Sequence, residues 1–172
     1  MSAALLKTLS HRTRRTALLA ATALMLAGTI GSHAAAAQPL APEMPANFKK
    51  KGEFPQVTLT VNGIKIAAEV AATQPDREQG LMFRSSLGKN EGMLFIFDEI
   101  AYHCFWMKNT EIPLSIAYIT DNGTITDIQE MAAETEDNHC PTQSGKYAIE
   151  MAKGWFSANG IKAGMQMQGL PR

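Results

Sequence analysis

Asn62 and Gly63 constrain this chain more than any other pair of residues. They separate two stretches of alternation: Val57, Leu59 and Val61 alternate with threonines, and Ile64 and Ile66 flank Lys65. A period of two marks a strand with one face buried. Asn followed by Gly supplies the two left-handed residues of a tight hairpin turn. The folded part of the chain therefore opens with a β-hairpin. Short apolar runs follow at residues 93–97, 105–107, 116–119, 124–131 and 147–151, and Asp121, Asn122 and Gly123 mark a turn. Thr73, Pro75 and Asp76 predict a helix start that Gly80 ends or packs within. Residues 155–159 predict one or two helical turns stopped by Gly160 as a left-handed cap. Residues 134–145 are polar and turn-rich, a loop, and residues 165–168 close the domain. This pattern predicts a mainly β fold: a compact antiparallel sandwich or small barrel with one or two short helices.

The 172-residue chain is long enough for one domain with a substantial core. Its first residues belong elsewhere. Lys7, Arg12, Arg14 and Arg15 precede an apolar run over residues 17–30, and Ala34, Ala35 and Ala36 offer a small-residue cleavage site. Residues 1–37 are thus expected to be a secretory signal peptide. The apolar run falls short of the roughly 20 residues of a spanning helix, so the mature chain is expected to carry no transmembrane segment and to be periplasmic or extracellular. Residues 38–55, rich in Pro and Ala with Lys49, Lys50 and Lys51, read as a flexible tether, and residues 56–170 as a single globular β domain. Four of the 16 basic residues lie in the signal and none of the 16 acidic ones does, which leaves the mature protein at −4. That balance, without a basic stripe, argues against nucleic acid as a partner.

Cys104 and Cys140 are the only cysteines. In an exported chain an even count favours a disulfide, worth roughly 3–4 kcal/mol for a loop of this length; two separate thiols are the alternative. Each follows a histidine, so His103, Cys104, His139 and Cys140, with Met107, form a possible copper or zinc donor set. Spacing opposes it, because adjacent strand residues face opposite ways. A second constellation is Arg84, Lys108, Asn109 and Thr110, polar residues set among bulky apolar ones, with Glu150 as the expected counter-charge. They form either a buried ion-pair network or a pocket for an anionic or sugar-like ligand. Trp106, Trp155, Phe105 and Phe156 could stack on a sugar ring, and Trp155 is the expected surface aromatic of the set. No nucleophile elbow, zinc-protease helix, phosphate-binding loop or dinucleotide fingerprint is present, so no catalytic residue and no cofactor is assigned.

Several ordered blocks carry a family resemblance. They are Arg77-Glu78-Gln79-Gly80-Leu81-Met82-Phe83-Arg84, Gly92-Met93-Leu94-Phe95-Ile96-Phe97 and Phe105-Trp106-Met107-Lys108-Asn109-Thr110-Glu111-Ile112-Pro113-Leu114. To these add Tyr147-Ala148-Ile149-Glu150, Gly154-Trp155 and Gly160-Ile161-Lys162-Ala163-Gly164. Over residues 57–167 the chain resembles the domain of unknown function 192. The resemblance implies a compact, mainly β, often exported domain with no assigned activity. Ser115 and Met165 depart from the family pattern, where relatives carry Asp. Together these readings predict an exported, non-enzymatic protein that binds a small ligand or a protein partner. The alternatives are a periplasmic metal-binding protein and an unrecognised hydrolase, which would need two acids within about 5–10 Å at a cleft.

Overall fold

The Asn62–Gly63 turn forms as its sequence dictates. Both residues are left-handed, with φ of 50° and 74°, the backbone that matches the twist of flanking strands. They join β1 (Gln56–Val61) to β2 (Ile64–Ala71), with Val61 opposite Ile64. The computed structural model describes residues 42–172. The expected signal peptide and the first residues of the tether lie outside the described residues.

Past β2, Thr73 caps α1 (Gln74–Gln79) by accepting the Asp76 N–H at 3.3 Å, and Gly80 ends the helix at φ 50°. The chain returns as β3 (Glu91–Ala101), then β4 (Leu114–Ile119), β5 (Ile125–Met131), β6 (Gly145–Ala152) and α2 (Trp155–Ala158). These strands build one six-stranded sheet in the order β1-β2-β3-β6-β4-β5. The mainly β expectation holds, with two short helices. The packing expectation is corrected: the sheet is single, mixed and not closed. The connection through α1 is long enough to bring β3 back parallel to β2, which a hairpin cannot do. The C-terminal residues then tie the two edges. Gln168 bridges Thr60 on β1, and Gln166 bridges Thr124 beside β5.

The inner strands are apolar on both faces, which explains their continuous rather than alternating runs. On one face Leu94, Ile149, Met151, Ala117 and Ile119 pack under Trp155, Phe156 and Met167. On the other, Met93, Phe95, Ala148, Ile116 and Tyr118 pack under Phe54, Leu81 and Met107. Trp155 is therefore core, 7% exposed, and the surface aromatic is Trp106 at 47%. Helix α2 folds back onto the sheet, and this inward turn reverses the expectation. Residues 105–107 make only an isolated bridge, Phe105 to His139.

Part of the segment read as a tether is anchored. The Gln79 side chain accepts from the Lys49 N–H at 2.8 Å and donates to its carbonyl at 2.6 Å, and the Lys49 ammonium lies 2.7 Å from Asp76. Burial would push the Asp76 carboxyl up, but its bonds to Lys49 and Thr73 outweigh that and hold it below its ordinary value. A single buried phenylalanine, Phe54, is too weak a pattern to show this in sequence.

Gly92 lets β3 lie close against β6. A Cβ there would stand 2.4 Å from the Glu150 carbonyl oxygen and from the Met151 sulfur. Gly92→Ala should lower the unfolding free energy by roughly 1–3 kcal/mol, read as a lower denaturant midpoint.

Candidate functional site

One row of side chains across the sheet explains where polarity enters the core. Gln56, Glu69, Met93, Glu150, Ile116 and Gln129 are successive register partners from edge to edge. Strand alternation leaves no choice: with Ile149 and Met151 in one core, Glu150 must face the other. The next row places Ala71, Phe95, Ala148, Tyr118 and Asp127 side by side. Small Ala148 leaves room between Phe95 and Tyr118, and Phe105 fills it, with ring centroids 4.9 Å from Phe95 and 5.9 Å from Tyr118.

Phe105 is held there by its own backbone. Its N–H donates to His139 at 2.8 Å and its carbonyl accepts from His139 at 2.7 Å. Next to this bridge Cys104 and Cys140 form a disulfide, with Cα atoms 4.2 Å apart. Between this stapled segment and α1 lies a cleft of about 300 Å³, walled by Phe95, Phe97, Phe105 and Trp106, with Arg77 and Glu78 on the helix side. A smaller cavity of about 40 Å³ shares Phe95, Phe105, Trp106, Arg77 and Glu78 with it and is lined further by Gly80, Leu81, Thr110 and Glu150.

Glu150 is 4% exposed, and its carboxyl makes no hydrogen bond or ion pair among the described residues. Burial pushes its pKa up from 4.5 to about 8. At neutral pH the group is an uncharged acid with a proton to donate. Holding that proton reduces stability by about 3 kcal/mol at pH 7 relative to a carboxyl free to ionise. A carboxyl shifted in this way beside a cleft is a candidate functional group. Burial, then the nearby Glu150 and Asp127, push the Tyr118 phenol above its ordinary value; its hydroxyl donates to the His139 carbonyl at 2.6 Å.

The residues singled out in sequence divide among several places. Arg84 pairs with Glu69 at 2.5 Å, both buried, and its guanidinium lies 5.7 Å from the Phe54 ring. Glu69 also accepts from the Gly52 N–H. The expected Glu150 counter-charge is thus corrected: Met93 separates Glu150 from Glu69 in the row, and Arg84 takes the acid nearer the edge. Lys108 lies 5.3 Å from the Trp106 ring centroid and 3.6 Å from Glu136. Asn109 is a turn residue, φ 53°, whose carbonyl accepts the Phe83 N–H at 2.8 Å. Only Thr110 and Glu150 of this set line the inner cavity.

The metal set disperses in the same way. Cys104 and Cys140 are oxidised and so offer no thiolate. His103 stacks on Phe97 at 3.5 Å, with Nε2 3.0 Å from the Glu99 carbonyl. Met107 is core, and His139 Nε2 is buried without a partner. Among the described residues no three His, Cys, Asp or Glu gather as a metal site.

Sequence reasoning passed over Arg77 as a wall. Its guanidinium donates to the Ala72 and Ile96 carbonyls and to Asp98 at 3.0 Å, and lies 5.5 Å from the Phe97 ring. The signal available was its place at the head of the block ending in Arg84.

The family model of domain of unknown function 192, described as an uncharacterized ACR, matches residues 57–169. The chain belongs to this family. Two solved structures are similar to this DUF192 protein. One, from Sinorhizobium meliloti 1021 and described as a proposed transcription regulator, is 30% identical with a TM-score of 0.63, covering 66% of this chain and 92% of its own. The other, a protein of unknown function from Novosphingobium aromaticivorans DSM 12444, is 27% identical with a TM-score of 0.65, covering 76% and 94%. No curated protein matches significantly.

The two buried acids differ in what their removal does to stability. Glu69→Ala should destabilise the DUF192 domain by roughly 3–5 kcal/mol, because it strands a buried guanidinium; chemical denaturation measures it. For Glu150 the sign is opposite. The folded carboxyl keeps its proton to about pH 8, whereas the unfolded one loses it near 4.5. Folding therefore binds a proton between those values. That contribution is fully present below the unfolded pKa and is lost as pH rises through the folded one. Glu150→Gln should raise the melting temperature near pH 8, and the gain should vanish near pH 4, as measured by thermal denaturation across that range.

Proposed function

We propose that this protein is an exported binding module for a small molecule, and that its site is the aromatic cleft ending at Glu150. One observation supports the reading above the rest. A buried carboxyl without a partner, which reduces stability, lines a small cavity that shares walls with a cleft of four aromatic rings. A volume near 300 Å³ is the lower end of what ligand sites occupy. The mixture of apolar walls with a few convergent polar groups is also theirs. The Cys104–Cys140 disulfide is consistent with an oxidising compartment.

A second reading has its own observation. Glu78 and Glu150 line the same inner cavity, one exposed and the other with its pKa pushed to about 8. Separated environments of that kind are what acid–base pairs use. Hydrolysis of a chromogenic aryl ester or glycoside, lost in both Glu78→Gln and Glu150→Gln, would establish an enzyme in place of a binding module.

The binding reading is tested by heteronuclear NMR with a library of aromatic fragments. Shift changes should centre on the Trp106 indole and on Phe97 and Phe105. Trp106→Ala should weaken the best fragment at least tenfold while leaving the melting temperature within a degree or two, since an exposed side chain adds little stability. Trp155→Ala, by contrast, should destabilise the domain by about 3–5 kcal/mol. Perturbations scattered over the surface, indifferent to Trp106→Ala, would remove the cleft as the site.

A further inference from the structure

We propose that the inner end of the cleft recognises a protonated amine carried on a flat apolar body, with the Glu150 carboxyl as the group that meets the ammonium. This deepens the binding reading and rests on it.

What the inner cavity offers an ammonium is a cluster of oxygens. Its polar groups with free capacity are the Glu78 and Glu150 carboxyls and the Thr110 hydroxyl oxygen. The Thr110 hydroxyl donates to the Lys108 carbonyl at 3.3 Å, which leaves its lone pairs open. Several of the donors in the lining are directed elsewhere. Arg77 gives three of its guanidinium hydrogens to the Ala72 and Ile96 carbonyls and to Asp98. The Gln79 amide is occupied on both sides by the Lys49 backbone. An ammonium brings three hydrogens to these oxygens.

The walls favour the same ligand. Aromatic faces attract cations, and Trp106 already carries one: the Lys108 ammonium lies 5.3 Å from its ring centroid. The dimensions divide the ligand in two. About 40 Å³ at the inner end takes a group of one or two heavy atoms. About 300 Å³ outside takes a ring against Phe97, Phe105 and Trp106.

Charge is conserved through one proton. The free protein holds Glu150 as a neutral acid; the ligand arrives as an ammonium; the complex is a carboxylate–ammonium pair, and the proton goes to buffer. The ionisable and charged groups facing Glu150 do not blur this exchange. From α1 come Arg77, met by Asp98, and exposed Glu78. From β4 comes Tyr118, whose phenol is shifted upward and keeps its proton. From β3 come only Met93 and Phe95. The loop contributes Lys108 on the Trp106 ring. With Glu150 shifted to about 8, amine affinity should rise about tenfold per pH unit up to that value and then level off.

The test is isothermal titration of the mature protein with phenethylamine and its neutral counterpart, phenethyl alcohol. It runs from about pH 6 to about pH 8, each in two buffers of different ionisation enthalpy. The amine should bind at least tenfold more tightly than the alcohol near pH 8 and release one proton per molecule bound at neutral pH. Glu150→Gln should abolish both the preference and the release; the proton count on the wild-type protein decides even if that variant does not fold. Equal binding of both probes without proton release overturns amine recognition and leaves the cleft standing as a site. Binding of neither, while aromatic fragments still shift Trp106, likewise overturns amine recognition alone. Binding of neither with no response at Trp106 removes both readings.

Discussion

The insertion of β6 between β3 and β4 is the pairing on which the rest of the structure depends. β6 is hydrogen-bonded on both sides and buried on both faces from Tyr147 to Met151, so each of these side chains faces one core or the other. Tyr147, Ile149 and Met151 enter one and Ala148 and Glu150 the other. A register slip of one residue would exchange the two sets, placing a carboxyl under Trp155 and three large apolar groups in the cleft. Gly92 and Gly145 allow the close approach on this strand, each occupying a place where a Cβ would collide with neighbouring backbone. The position of the acid is thus fixed by the same contacts that fix the fold.

Most of the strands and both helices were legible in the sequence, because they are written in local signals. The Asn62–Gly63 turn, the Thr73 cap and the Gly160 stop each act within a few residues. What was not legible is non-local. The parallel return of β3, the single open sheet and the inward turn of Trp155 depend on how distant segments meet, and periodicity carries no information about that. The site shows the same division. Glu150 and Thr110 were picked out because polar residues among apolar ones are costly. Their separation from Arg84 required the cross-sheet row, in which Met93 stands between two acids and the arginine reaches only one. Arg77 and Phe97 gave no local sign of lining a cleft, since an arginine on a short helix and a phenylalanine in a strand are ordinary.

Two acids in one row have opposite relations to stability. Glu69 is answered by Arg84 and by the Gly52 N–H, and removing either charged partner leaves the other stranded. Glu150 is answered by nothing within the described residues and stays neutral. A fold that tolerates such a group across its central strand supports it with packing elsewhere: β3, β4 and β6 are apolar on both faces, and the aromatic wall opposite is clamped by a covalent bond. Phe105 is held over Ala148 by the disulfide and the His139 bridge, which act at adjacent residues.

The C-terminal bridges have a consequence for the order in which the domain can be completed. Thr60, on the first strand, finds its outer partner in Gln168, four residues from the end of the chain. Thr124, at the other edge, waits for Gln166. Until residues 166–168 have been made, both edges of the sheet lack these partners and stay open to pairing with other chains. One short segment therefore fastens two distant edges of the sheet.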